Sequence, residues 1–401
     1  MTDAIVLIDT TKNGPGPDLA SAALKRGVCP IVFLGDSAKG VNLPDGSITM
    51  PMPKGREAAL AEIAALQERF RVCGLTTVQD EYAFLAADLA RQLGLAGPCP
   101  DSVKATLFKH EQKSLLQEAG VPTPSFVYAR FDDIGSDALL LEGEYPKIAK
   151  PVRGYASNGV QLCFSLSDVT QHAAHIQSAA RQFDPLNQVD GFLIEERVVG
   201  DEYAIELFDG VAVGIIRKRM SSVDSFSETG YVANPSLNKS VQQTLAVTAE
   251  HAAKVLGLAW GPLHVDIIVA DGVPYVIEAN PRIAGSFIPE LIKDAYGADL
   301  VEMLLASTLG EHVHVMPVVR NTKATVALVD FLFEPSDSEA CRALDGVELS
   351  SSVPGVRKMR IGTRIWGAKR RTAFIYCAYD SRLVGSQDED WYASQLTAAV
   401  A

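Results

Sequence analysis

Three short apolar runs punctuate the first eighty residues, at 4–8, 31–34 and 72–78, with helix-like stretches between them. Runs of this length bounded by turn-forming residues read as strands buried on both faces. A helical connection between successive strands makes those strands parallel. The opening is therefore expected to be a βαβαβα unit on a parallel sheet. After the third run, Tyr82, Leu85, Ala86, Leu89 and Leu93 recur at spacings of three and four, which gives a helix with one apolar stripe against that sheet. Between the first run and its helix, Gly14 and Gly16 suggest a dinucleotide fingerprint, but its third glycine is absent, so nucleotide binding is not expected there.

The stretch 94–101, rich in Gly and Pro, marks a domain boundary. Residues 103–119 read as a helix stopped by Gly120 and the Val121-Pro122-Thr123-Pro124 turn into a strand. Strand-like runs follow at 146–151, 160–164, 192–198, 203–208, 211–217, 263–270 and 274–279, too many to continue the first sheet, so a second domain is required. From about 311 the pattern is strand-rich again and closes on a helix after Asp388, which fits a third subdomain. The expected division is 1–104, 105–310 with a lid over about 146–210, and 311–401. Neither repeats nor low-complexity segments occur.

The 401 residues carry 36 Lys and Arg against 49 Asp and Glu, a formal charge of -13 that repels a phosphate backbone, so nucleic acid is not an expected partner. The six cysteines stand far apart with no paired spacing, which argues for reduced thiols and against a zinc or redox motif. The run at 4–8 is too short for a signal-peptide core and nothing approaches a membrane span, so a cytoplasmic enzyme with no membrane contact is expected.

Three segments carry chemistry. In the first, Lys150 ends a strand and precedes a loop bearing Gly154, Ser157, Asn158 and Gly159. Small residues let backbone N–H groups approach phosphate oxygens while the lysine supplies a point charge; taken alone, the same pattern is also a glycine-rich hairpin with an exposed lysine. In the second, the apolar strand Phe192-Leu193-Ile194 leads into Glu195, Glu196, Val198 and Glu202. Main-chain groups at Glu196 and Val198 can meet an adenine, and Glu202 can accept from ribose hydroxyls; an acidic strand end in solvent is the plain alternative. The third is the strongest: His264-Val265-Asp266, a turn at Asp271-Gly272, then Glu278-Ala279-Asn280-Pro281-Arg282. Alternation along a hairpin places His264, Asp266 and Ile268 on one face, and likewise Val276, Glu278 and Asn280. Asp266, Glu278 and Asn280 then offer oxygen ligands suited to Mg²⁺, and Arg282 can point into the same cavity to meet a carboxylate or an oxyanion.

These three motifs, in this order, resemble the ATP-grasp superfamily, in the branch containing biotin carboxylase and the bacterial L-amino acid ligases. The resemblance covers about 75–310 and implies an α/β protein of the α+β ATP-grasp kind: an N-terminal parallel domain, a small lid and a C-terminal mixed domain holding the metals. It also implies that Lys109 and Lys150 are the two phosphate-binding lysines and that Glu195, Glu196, Val198 and Glu202 form the adenosine segment. Asp266, Glu278 and Asn280 fall on the metal ligands, with Mn²⁺ as an alternative to Mg²⁺, and Arg282 on the arginine that steadies an acyl phosphate. Asp266 departs from the usual glutamate by one methylene, which leaves open whether it meets the ion directly.

The expected activity is an ADP-forming carboxylate–amine ligation through an acyl phosphate, with small-molecule carboxylate and amine substrates, amino acids or dipeptides foremost because the continuation to Gly285 is similar to amino acid ligases. A carboxylase acting on bicarbonate and a nucleotide-binding module without turnover are the alternatives. Substrate-side candidates are Arg282, Gly285, Glu228 and His264, with the pocket shaped by loops at 220–235 and 283–290. A homodimer is implied by resemblance only. Outside the motifs, His172 and His175 are read as solvent-facing on a helix, and His312 and His314 as alternating on a strand. The Arg217-Lys218-Arg219 run is divided between an anion site and a solvated edge, and the basic stretch 357–371 is read as a hairpin with outward charges.

Overall fold

The computed structural model describes all residues except 11–13, 36–37, 39, 135–143, 155–156, 184–188, 223–224, 321–324, 333–355, 363–372 and 384–401. The opening forms the expected parallel sheet from β1 (Thr2–Ile8), β2 (Cys29–Leu34), β3 (Ile48–Pro51) and β4 (Phe70–Thr76), in the order β3-β2-β1-β4. The helices α1 (Pro15–Lys25), α2 (Arg56–Gln67) and α3 (Ala83–Gln92) connect and flank it. Ala86 and Leu89 of α3 are buried with Tyr82, Leu85 and Leu93 packed beside them, the stripe read from the spacing. At Gly16 a Cβ would sit 1.6 Å from Thr10 Oγ1, so glycine is needed to seat α1 against the end of β1.

The helix expected over 103–119 is two pieces, α4 (Pro100–Lys104) and α5 (Lys109–Glu118), and the break lets Lys109 start a helix with its N–H on Val152 O at 2.9 Å. The chain then builds a small sheet from β5 (Phe126–Arg130), β6 (Lys147–Pro151), β7 (Gln161–Cys163) and β8 (Gly191–Glu196), in the order β5-β8-β6-β7, with α6 (Leu166–Phe183) packed on it. This sheet begins at 126 and ends at 196, earlier at both ends than the lid read from the sequence.

Among the described residues the large sheet has eight strands: β9 (Asp201–Phe208), β10 (Val211–Ser222), β11 (Ser225–Ala233), β12 (Pro262–Ala270), β13 (Val273–Asn280), β14 (Thr325–Leu332), β15 (Val356–Gly362) and β16 (Ala373–Asp380). Their order is β13-β12-β9-β10-β11-β14-β16-β15. Two expectations are corrected here. The stretch 220–235 is mostly strand, and the segment beyond 311 supplies β14 to β16 as a continuation of the same sheet. The basic stretch does pair as the two-stranded unit β15–β16, although residues 363–372 lie outside those described, as does the helix expected after Asp388.

Period-two alternation divides the large sheet between two cores. Tyr203, Ile205 and Leu207 face α7 (Lys239–Val255), where Leu245, Ala249 and Ala252 meet them. Ala204 and Phe208 face the opposite way, toward α8 (Ile288–Tyr296), α9 (Leu300–Thr308) and Leu19 and Ala23 of α1. That second core joins the parallel domain to the large sheet. His312 and His314 are exposed in an extended segment that pairs with no strand, and no helix among the described residues is long and apolar enough to cross a membrane.

Candidate active site

A cavity of about 500 Å³ opens between the small and large sheets. One wall is the β12–β13 hairpin, closed by Asp271 and Gly272, both with positive φ (49° and 78°), as a two-residue turn joining twisted strands requires. The register runs Ala270 against Val273 up to Ile267 against Val276, then slips so that Asp266 stands opposite Glu278 and His264 opposite Asn280. The slip is a bulge at Ile277. It corrects simple alternation: Val276 is buried in the core under α7, while Ile277 and Glu278 both line the cavity. Without the extra residue, Glu278 would face away from Asp266.

Four of the cavity carboxylates are met by a lysine from another element. Lys109 at the head of α5 sits 2.5 Å from Glu278 Oε2 and donates to Gly154 O at 3.1 Å. Lys218 of β10 sits 2.5 Å from Asp266 Oδ1 and 3.4 Å from Glu228 Oε1. On the small sheet, Lys150 lies 2.9 Å from Glu195 Oε1. Burial opposes charge at Lys109, Lys218, Asp266 and Glu278, but the pairing overrides it. Lys109 is held above its usual range by Glu278, and Lys218 well above it by Asp266 and Glu228. Glu278 and Asp266 are held below the usual carboxylate range by Lys109 and by Lys218 with His264. All four therefore stay ionised at neutral pH.

Most residues read from the sequence line this cavity: Gly154, Ser157 and Asn158 from the loop after β6, and Val198, Glu202 and Glu228 from the far side. Gly159 stands just behind, at φ 73°, where a Cβ would press on Pro151. Residues 155 and 156 of that loop are outside those described. Glu195 and Glu196 line the cavity as well, Glu195 with its buried carboxylate on lysines and Glu196 with its N–H given to Ser125 O at 2.9 Å.

Four expectations are displaced. His264 is buried behind Asp266, Nδ1 at 2.6 Å from Glu206 Oε1 and Nε2 at 3.2 Å from Asp266 Oδ1. Burial would lower its pKa, but Glu206 and Asp266 raise it to about 10. Arg282 lies outside the large cavity, 2.9 Å from Asp80 Oδ1 of the parallel domain, beside a small cavity lined by Thr76 and Trp260. Gly285 is exposed, while Ile283, Ala284 and Phe287 enter the core, so 283–290 does not shape this pocket. His172, read as solvent-facing, is buried with its ring nitrogen 2.7 Å from Gly159 O, while His175 is exposed.

Two residues went unrecognised or undecided. Lys218 was legible as the centre of a charge run whose middle member faces opposite to its neighbours along a strand. Lys113 is four residues after Lys109, on the same helix face, and that spacing was the available signal.

Among the described residues no three His, Cys, Asp or Glu side chains gather as a metal cage. Asp266 and Glu278 instead line the cavity as a pair of carboxylates, with Asn280 beside them donating its Nδ2 to Glu278 Oε1 at 3.1 Å. That composition fits Mg²⁺, a hard cation that takes one or two carboxylates and completes its shell with water and phosphate oxygens.

Residues 143–290 match the family of the ATP-grasp domain. D-alanine–D-alanine ligase of Idiomarina loihiensis is 30% identical over 218 residues, covering 49% of this chain and 66% of that protein. Carnosine synthase 1 of Gallus gallus is 26% identical over 246 residues, 58% of this chain and 26% of that protein, so the chain spans about a quarter of that relative's length. The solved structure of an L-amino acid ligase from Bacillus licheniformis is similar over 99% of this chain and 97% of its own, with a TM-score of 0.72 and 20% identity, a likeness of fold.

Proposed function

We propose that this chain, which carries an ATP-grasp domain, is an ADP-forming ligase that activates a small carboxylate as an acyl phosphate and passes the acyl group to an amine, with amino acids as the substrate class. The observation that carries the proposal is the pairing of Lys109 with Glu278 across the cavity from Lys150 on Glu195, beside Asp266. Two of the curated relatives are named D-alanine–D-alanine ligase and carnosine synthase 1, which supports the amide over a carboxylated product.

A carboxylate is inert toward amines because its leaving group is oxide, so its oxygen must first attack the γ-phosphorus of ATP and expel ADP. Lys109 and Lys150 hold the triphosphate with charge-assisted contacts, and the loop from Gly154 contributes backbone N–H groups. Asp266, Glu278 and Asn280 would hold Mg²⁺, which neutralises charge on the transferring group. Lys218, at the floor of the cavity beside Asp266, is placed to orient the substrate carboxylate. The amine nitrogen then attacks the acyl carbon, phosphate leaves, and the nitrogen gives up its proton.

The test is an ADP-release screen of the purified chain with Mg-ATP against pools of amino acids, with bicarbonate in a separate arm. Equal amounts of ADP, phosphate and a dipeptide or related conjugate are expected. Release of AMP and pyrophosphate overturns the acyl phosphate route, and bicarbonate-dependent ADP release without an amine moves the protein to a carboxylase.

A further inference from the structure

We propose that Lys113 is a positioning residue that keeps hold of Glu195 when Lys150 turns to the phosphates of ATP, so that the buried carboxylate is never left without a cation. The inference rests on the ATP-binding reading of the cavity.

Lys113 is fully buried and Glu195 is 3% exposed. Both lysines address the same oxygen: Lys150 Nζ is 2.9 Å and Lys113 Nζ 3.4 Å from Glu195 Oε1. Lys113 Nζ also donates to Thr123 Oγ1 at 3.1 Å, and that hydroxyl donates to Val276 O at 2.8 Å, so the ammonium is anchored to β13 on its other side. Lys150 lines the cavity, whereas Lys113 does not. The two therefore have different freedoms. Lys150 can rotate toward an anion in the cavity, and Lys113 cannot follow.

A single buried carboxylate does not need two ammonium groups at rest, because the second adds like-charge repulsion. It needs the second if the first is to leave, since removing one partner from a buried pair leaves an uncompensated charge. The groups facing Lys113 are Glu195 on β8, Lys150 on β6, Thr123 before β5, and Glu278 on β13 at longer range. Burial and the neighbouring Lys150 outweigh Glu195 and lower the Lys113 pKa to about 8. When Lys150 moves toward phosphate, the repulsion falls and Lys113 holds its proton more tightly. ATP binding slightly above pH 8 should then draw a proton from solution, at a pH where the phosphates of ATP are already fully ionised.

Titration calorimetry of the full chain with ATP and Mg²⁺ at pH 8.5, in buffers of different ionisation enthalpy, reads this directly. The expected result is a binding enthalpy that varies with buffer in the sense of proton uptake in the wild type, and not in Lys113→Met. Lys113→Met should also bind ATP about tenfold or more weakly, because Lys150 stays tied to Glu195, and adding Glu195→Gln should recover most of that loss. A merely structural lysine would give neither the proton uptake nor the rescue. Wild-type binding with buffer-independent enthalpy overturns the inference without needing any variant to fold, and so does unchanged affinity in Lys113→Met. Absence of any ATP binding by the wild type overturns the ATP-binding reading and this inference with it.

Discussion

Lys109 and Glu278 stand 169 residues apart in the chain and meet at 2.5 Å across the wall of the cavity. The first comes from the head of α5 and the second from the bulged end of β13, so their contact reports that α5 and the hairpin are seated together. Lys218 and Asp266 repeat the arrangement on the floor. In both pairs the lysine that neutralises the acidic group would serve a phosphate or a carboxylate once an ion took its place.

Removal of Lys109 or Lys150 should weaken ATP binding, because each supplies a charge-assisted contact in a partly desolvated cleft. Such contacts are worth about 1.5–3 kcal/mol, so Lys109→Met and Lys150→Met should each raise the ATP Kd roughly 10- to 150-fold. Calorimetry decides it; unchanged affinity in both variants would mean the phosphates lie elsewhere.

Glu278→Gln should abolish turnover and weaken Mn²⁺ binding in the presence of ATP, read by paramagnetic resonance, while circular dichroism stays native. A neutral amide keeps the shape but loses the charge that an ion requires. Asp266→Asn should be milder in both measurements. Wild-type Mn²⁺ binding in Glu278→Gln would remove the metal reading of the hairpin.

Much of this site was legible because its chemistry lies on strand ends and turns with strong local signals. Asp271-Gly272 marked the hairpin, Lys150 ended a strand before small residues, and the Glu195–Glu202 segment read as strand into turn. What was hidden depended on single-residue events and on long-range packing. The bulge at Ile277 changes which residues share a face without leaving a mark in composition. His172 is polar among Gln and Ala, and its burial follows from the position of Gly159 O on a distant loop. Arg282 follows Asn280 at strand spacing, but the chain has left β13 by then, and Asp80 of another domain captures its guanidinium. The strand at 126–130 is only five residues long and that at 225–233 is interrupted by polar residues and a glycine, so their sheet membership is decided by partners.

His264 gives the metal-free protein a measurable pH dependence. Its pKa is raised to about 10 in the folded state by Glu206 and Asp266, against burial, and is about 6.5 in an unfolded chain. A raised pKa means the stabilisation is fully present below pH 6.5 and is lost as pH climbs through 10. Urea denaturation in chelator should therefore show stability falling between pH 6.5 and 10, on the order of 1–3 kcal/mol after allowance for coupling. His264→Gln should be less stable at pH 6.5 and flatter across the window. A parallel slope in the variant would assign the loss to other groups.

The last expectation concerns Arg282 and its partner Asp80. The guanidinium is half-buried; burial opposes its charge, but Asp80 holds it above its usual pKa with Glu206 and Glu278 adding to the field, so it is a fixed cation next to the acidic end of the site. If it stabilises the oxyanion formed when the amine attacks, the contact exists in the transition state and not with ATP alone. Arg282→Lys should then lower kcat about 100-fold or more while leaving the ATP Kd within about twofold, since lysine keeps the charge but loses the bidentate fork. Asp80→Asn should have a smaller effect in the same direction, because it loosens the guanidinium without removing it. Should Arg282→Lys instead weaken ATP binding as much as it slows turnover, the arginine would be a ground-state contact, and its pairing with Asp80 would serve to dock the parallel domain on the large sheet.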